Sequence, residues 1–273
     1  MSAIPESGSV GRALGSAGER VLESLAVLRE IGAFGLIALG VTLSKLGTAP
    51  RVVRPLLFEQ VRQVGLRLLP MTLYLGAALG LVIIGQTVAL LSQVGAEQYI
   101  GTVMVTVVIR ELGPLLTAIL VLARAGTATV VELGTMRALQ EVRALEALGI
   151  DPIHYLVVPR LFGLAISVAC LSTYLVLAVV GSGWVFAFLQ DVPLRPAAYF
   201  GQLADSLRWL DFLLFALKTS LFGVVIAVVC CYHGLARPLG FFDIAKVAER
   251  AVVEGVVACV LLDVLFLAGY AFA

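Results

Sequence analysis

The sequence predicts an all-α integral membrane protein with about five transmembrane helices, and three observations carry that prediction. Of 273 residues, 60% are hydrophobic and only 14% charged, where soluble domains run near 45–50% and about 25%. Mean hydropathy is +1.04. The apolar residues gather into runs of roughly 20 or more, the length a helix needs to cross a hydrocarbon core about 30 Å thick. The lysines and arginines, in turn, gather in alternate loops between those runs. With a net charge of +1 and no basic block, nucleic acid is not an expected partner.

Taken in order, residues 1–20 are small, polar and Gly/Ser-rich and read as a flexible N-terminus. No basic region leads directly from them into an apolar core with a cleavage site, so no signal peptide is expected. Residues 21–67 are expected to form an interfacial elbow. Within them Ile31–Leu46 is short for a span and ends on Lys45, which suits a helix lying in the interface. Pro50-Arg51-Val52-Val53-Arg54-Pro55 should then break the chain before the amphipathic Leu56–Arg67. Five spans follow: Leu66–Leu91, Tyr99–Ala123, Tyr155–Leu189, Phe212–Tyr232 and Val252–Phe272. The third is long enough to tilt or bend, and Gly181-Ser182-Gly183 is the expected bend. Gly76 and Gly80 put small residues four apart in span one, which lets helices approach closely.

Orientation follows from the basic loops. Arg51, Arg54, Arg62 and Arg67 precede span one; Arg124, Arg137, Arg143 and Arg160 surround the connection from span two to span three; Arg237, Lys246 and Arg250 lie between spans four and five. The opposite side carries Arg195, Arg208 and Lys218 over a longer stretch. The richer loops belong in the cytoplasm, which puts the C-terminus outside.

The connection Thr135–Gly149 has its own pattern. Met136, Leu139, Val142, Leu145 and Leu148 recur every third residue, while Arg137, Gln140, Glu141, Arg143 and Glu146 occupy the rest. Thr135 can cap the start, Gly149 suits the position after the end, and Pro152 prevents continuation. Such a helix either rests on the bilayer surface or couples the spans to a cytoplasmic motor domain, because a rigid helix fixed between two spans transmits a push.

Several short motifs stand in one order: Arg110-Glu111-Leu112-Gly113-Pro114, Ala123-Arg124-Ala125-Gly126, Glu132-Leu133-Gly134-Thr135-Met136-Arg137, Ala144-Leu145-Glu146, Gly149-Ile150-Asp151-Pro152 and Val158-Pro159-Arg160. This series resembles the MlaE family of permeases in MCE-associated ABC lipid transporters, over roughly Pro50 to Ala273, so that 68–273 reads as the permease domain. The resemblance implies a second permease copy (a homodimer or a paired permease) and a cytoplasmic ATP-binding-cassette ATPase seated on the 135–149 helix. It also implies a periplasmic MCE-domain protein and a phospholipid or related lipid as cargo, in the inner membrane. The ATPase-coupling residues it implies are Glu132, Met136, Arg137, Leu139, Gln140, Glu141, Arg143, Leu145 and Glu146.

Charges inside the spans are the remaining signal. Arg110 and Glu111 lie about eleven residues, or roughly 16 Å, into span two. Intramembrane charges cost on the order of 2.5–3.5 kcal/mol and face a bundle interior or a water-filled cavity. Adjacent helical residues do not face each other, so these two need partners elsewhere. They form either a polar patch at a lipid headgroup or dimer seam, or a structural ion-pair network. Asp263 in span five could answer Arg110 across a helix interface, or cap a polar cluster. The family's cavity is lined in part by spans one and five, which adds Ile83, Gln86, Leu262 and Leu265 as candidate lipid-cavity residues.

An enzyme is not expected: His154 and His233 sit near membrane boundaries, no HExxH or Walker A sequence occurs, and ATP hydrolysis belongs to a partner chain. No cofactor or metal is expected. The rival to an ATP-driven permease is a secondary carrier, which would favour paired repeats that an odd number of spans does not supply. Cys170, Cys230, Cys231 and Cys259 lie in apolar runs without zinc-like spacing.

Overall fold

The computed structural model describes residues 27, 29–42, 44, 50–96, 99–189, 196–236 and 240–272. The expected flexible N-terminus, Lys45, Arg195 and Arg237 lie outside the described residues. Every described element is helical. Helix α1 covers 29–42; α2 is Pro50–Val61, and α3 is Arg67–Gln93, joined by a π-helical turn at Arg62–Leu66. Ile100–Met104 (α4), a π-helical turn at Val105–Leu112, Gly113–Val121 (α5), a second such turn at Leu122–Gly126 and Thr127–Ala138 (α6) form one continuous rod. Then come the short α7, Glu141–Ala147, and a π-helical turn at Ile153–Val157 that opens α8, Val158–Leu189. The chain ends with α9 (Pro196–Ser206), α10 (Trp209–Leu235) and α11 (Ile244–Phe272).

Five of these rods are long and apolar enough to cross a membrane: Arg54–Val88, Ile100–Ala138, Ile153–Val185, Trp209–Leu235 and Ile244–Tyr270. The protein is an all-α membrane protein. One local expectation is corrected. Pro50–Pro55 is not a break, because α2 starts at Pro50 and carries Pro55 inside it, running through the π-helical turn into span one. A proline this near a helix start costs few ladder bonds. Helix α8 runs through Gly181-Ser182-Gly183 without a break in its ladder to mark the expected bend. That stretch instead accommodates a neighbour: a Cβ on Gly80 would lie 2.0 Å from Ser182 Oγ and 2.3 Å from the Val179 carbonyl. One turn away, a Cβ on Gly76 would meet the Leu175 carbonyl and Ala178 at 2.9 Å. The glycines of span one are therefore its seam with span three.

Gly80→Val tests that seam. Overpacking against backbone costs about 1–3 kcal/mol, so the variant should lose thermal stability and detergent-extractable yield. Gly269→Ala, where no atom lies within 4 Å of the added Cβ, should behave as wild type.

Helix α1 is laid along the last turns of α10. Phe34 meets the Tyr232 ring edge-on at 6.0 Å, Gly35 abuts Val228, and the Tyr232 hydroxyl donates to Glu30. Next to it, His233 Nε2 pairs with Glu254 of α11 at 2.8 Å. The main core is built from α5, α6, α8, α10 and α11, with Leu122, Leu164, Phe222 and Ile226 among its fully buried side chains.

Candidate transport site

Span two presents two adjacent charges to different partners, as neighbouring positions on a helix point apart, and it does so from an irregular stretch of its ladder. That stretch is Val105–Leu112, where the Gly113 N–H reaches back to the Val108 carbonyl in π-helical fashion. Arg110 turns to one level of the bundle and Glu111 to the next. At the first level Arg110 Nη2 lies 2.9 Å and 3.2 Å from the two oxygens of Asp211, and its guanidinium stacks over Tyr270, 5.2 Å from the ring centroid. Asp211 is buried and also accepts the Arg208 N–H at 3.0 Å, so it caps the start of α10.

At the second level Lys218 is the centre. Its side chain is 0% exposed, and Nζ lies 3.0 Å from Glu111 Oε2, 2.7 Å from Asp263 Oδ1 and 2.8 Å from the Arg110 carbonyl. That carbonyl is available for a simple reason. Pro114, four residues on, has no N–H to return to it, and a lysine supplies the missing donor. Asp211 and Lys218 are seven residues apart on α10, as Asp263 and Tyr270 are on α11. Seven residues is about two turns, or roughly 10 Å, so the antiparallel pair matches Asp211 with Tyr270 and Lys218 with Asp263. Burial of a charge is tolerated only with a partner and satisfied hydrogen bonds, and the cluster meets both conditions except at two atoms: Arg110 Nε is buried without a hydrogen-bond partner, and Asp263 Oδ1 has Lys218 Nζ only as an ion-pair contact, not as a well-aligned hydrogen bond. Beside the first level a cleft of about 360 Å³ opens, lined by Leu210, Leu214, Leu265, Phe266, Gly269 and Tyr270.

At the other end of the bundle the connection from span two to span three departs from the expected single helix. Helix α6 runs on to Ala138, and Thr135 sits inside it, donating to the Val131 carbonyl rather than capping anything. The chain turns at Gln140, whose φ of +62° is left-handed, and only then starts α7. A residue with a β-carbon pays about 1–2 kcal/mol for that conformation. The end is as expected: Gly149 has φ +74°, its N–H donates to the Glu146 carbonyl, and the Ile150 N–H donates to the Leu145 carbonyl. The break splits the apolar stripe. Val142 is buried and Met136 and Leu145 pack on the core, whereas Leu139 and Leu148 stand 54% and 75% exposed.

A family model described as permease MlaE matches residues 57–268. The chain belongs to the MlaE permease family. It is similar to a probable ABC transporter permease protein of Rickettsia felis, 30% identical over 88% of this chain and 90% of that one. It is also similar to the intermembrane phospholipid transport system permease protein MlaE of Haemophilus influenzae, 27% identical over 86% and 89%. Protein TRIGALACTOSYLDIACYLGLYCEROL 1 of Arabidopsis thaliana, a chloroplast protein, is 27% identical over 75% of this chain and 58% of its own length. As an MlaE-type ABC permease, the chain has a transport role and not a catalytic one.

Of the residues singled out from this MlaE permease's sequence, Arg110, Glu111 and Asp263 enter one cluster, but Asp263 answers Lys218 and not Arg110. Leu265 lines the apolar cleft beside it. Ile83 packs in a separate core with Val88, Met104 and Tyr199, Leu262 packs on the main core, and Gln86 is exposed. Lys218 and Asp211 were missed. Lys218 fell within the expected span Phe212–Tyr232 yet was counted with the loop charges, and Asp211 lay one residue outside it. The usable signal was a lone lysine seven residues into an apolar run, which cannot stay there without a carboxylate.

Proposed function

We propose that this permease moves phospholipid or a closely related lipid between the inner membrane and the outer envelope, as one of two identical copies driven by a separate cytoplasmic ATP-binding-cassette ATPase beneath a periplasmic MCE-domain protein. The observation that carries the reading is the pairing of Arg110, with its uncommitted Nε–H, and the apolar cleft that shares Tyr270 with it. A guanidinium fork suits a phosphate, and a cleft of leucine and phenylalanine beside it suits an acyl chain. Together they match an amphipathic cargo. The Haemophilus influenzae relative, named for phospholipid transport, supports the same choice.

In this reading a second copy closes the cavity and brings the exposed Gln86 toward Ile83, Glu111, Leu262, Asp263 and Leu265 on a common wall. The basic loops orient the molecule, with Glu132 through Gly149 inside the cell and the C-terminus outside. Leu139, Leu148 and the charged Glu141, Arg143 and Glu146 then form the face offered to the ATPase, with Gln140 setting its angle. Reconstituting the permease with its ATPase and following transfer of a labelled phospholipid from proteoliposomes tests the whole. Transfer should require ATP. Glu141→Lys combined with Arg143→Glu should abolish ATPase co-purification while leaving insertion and thermal stability unchanged. Wild-type ATPase stoichiometry and turnover in that double variant would remove α7 from the contact, and transfer without ATP would return the secondary carrier.

A further inference from the structure

At the base of spans one and two, away from the charge cluster, a cleft of about 290 Å³ separates α3 from α6. Both its walls are built on π-helical turns. Arg62–Leu66 delivers Gln63 and Val64 from one side, and Leu122–Gly126 delivers Arg124 and Ala125 from the other. Such turns forfeit regular ladder bonds to redirect side chains and concentrate at functional sites. Here they face each other across one opening.

Charge in the cleft is unbalanced. Arg67 and Arg124 line it, both exposed, and neither forms an ion pair among the described residues. Glu132 is the carboxylate in the lining, but it is engaged from behind: Arg160, itself buried, holds it at 2.9 Å and also donates to the Leu156 carbonyl at 3.3 Å. Two guanidiniums are left over. Arg67 is the first residue of α3, and Leu68 and Met71 continue the same wall into the apolar part of span one. The opening is thus basic at its rim and apolar one turn deeper.

We propose that this cleft binds the phosphate of an anionic phospholipid, held as a resident lipid separate from the cargo. The two arginines supply forked donors for the phosphate, and basic pockets between membrane helices take lipid headgroups of this charge. An ammonium-bearing headgroup fits less well, because the carboxylate in the lining already has Arg160 as a partner while two guanidiniums in the lining have no ion pair among the described residues. Placement in the cytoplasmic leaflet rests on the orientation proposed above, whereas the phosphate chemistry does not.

The full-length protein, purified and delipidated in detergent, is titrated with phosphatidylglycerol or phosphatidylcholine, and bound lipid is counted by native mass spectrometry. Phosphatidylglycerol should bind at least about fivefold more tightly. Arg67→Gln and Arg124→Gln should each weaken it by about fivefold and the pair by more than tenfold, with Arg→Lys at either site retaining most of the binding. Arg110→Ala should remove at most the cargo lipid from the count and lower lipid transfer, while the phosphatidylglycerol-over-phosphatidylcholine preference set by Arg67 and Arg124 persists, which separates the resident site from the cargo reading. Equal binding of the two lipids, or full phosphatidylglycerol binding by the double glutamine variant, overturns the site. Inorganic phosphate displacing the lipid at equal concentration overturns its assignment to a lipid, and failure of inorganic phosphate to do so supports it.

Discussion

Lys218→Met is expected to be the most damaging single substitution in the bundle. Methionine fills much of the volume of the lysine stem, so the packing of α10 survives. What is lost is the one cation that serves Glu111, Asp263 and the Arg110 carbonyl together. Two carboxylates would then face each other beside an unpaired carbonyl, inside a membrane. Removing one partner from a buried ion pair costs about 3–5 kcal/mol, a large share of the roughly 5–15 kcal/mol that stabilises a typical fold. The variant should show a sharply lower yield and a fall in Tm in detergent. Removing the whole set is a different matter, because replacing a buried charge cluster by neutral groups is often nearly neutral for stability. Lys218→Met with Glu111→Gln and Asp263→Asn should therefore recover yield and Tm. If the triple variant also transports lipid, the inner level of the cluster is structural only. If Lys218→Met alone keeps wild-type Tm and transport, the cluster does not hold the bundle.

Arg110→Ala should separate transport from folding. Its side chain is a quarter exposed, and its partner Asp211 keeps a second hydrogen bond from the Arg208 N–H after the guanidinium is gone. The stability loss should be modest, about 1–3 kcal/mol, with the dimer still extractable. Lipid transfer should fall at least about tenfold, the equivalent of one charge-assisted contact to phosphate. Arg110→Lys should sit between, because an ammonium keeps the charge but lacks the planar face that lies over Tyr270 and the fork that matches a phosphate. Asp211→Asn should reverse the balance, with a greater loss of stability than of transfer, since it weakens the α10 cap as well as the pair. Full transfer by Arg110→Ala proteoliposomes would exclude Arg110 from the cargo path.

Much of the architecture was legible because a bilayer imposes a one-dimensional rule. A span is a long apolar run, and the five runs found by counting are the five rods seen. Their ends were less legible. Span two continues past Ala123 to Ala138, since Thr127–Ala138 is a helix packed on α10 and α11 although its hydropathy falls. Gly149 after α7 was readable because only a residue without a β-carbon adopts its φ at no cost. The left-handed Gln140 was not, because nothing local requires it. For the cluster, the two carboxylates and the arginine were found as charges out of place, but their pairing was not.

What this sequence determined alone was which segments cross, which loops are rich in positive charge, and that charges at Arg110, Glu111 and Asp263 had to be answered by something. Those follow from transfer free energies, which are properties of each residue taken singly. Only the tertiary structure decided who answers whom. Arg110 and Asp211 stand 101 positions apart, Lys218 and Glu111 107 apart, and their meeting depends on the π-helical turn, on the carbonyl released by Pro114, and on the two-turn register between antiparallel α10 and α11. The same holds for the basic cleft, where Arg67 and Arg124 become neighbours because two irregular turns face each other and Arg160 occupies Glu132 from behind. Sequence distance carries no information about such register, because it is set by side-chain packing between helices that the chain brings together only once it has folded.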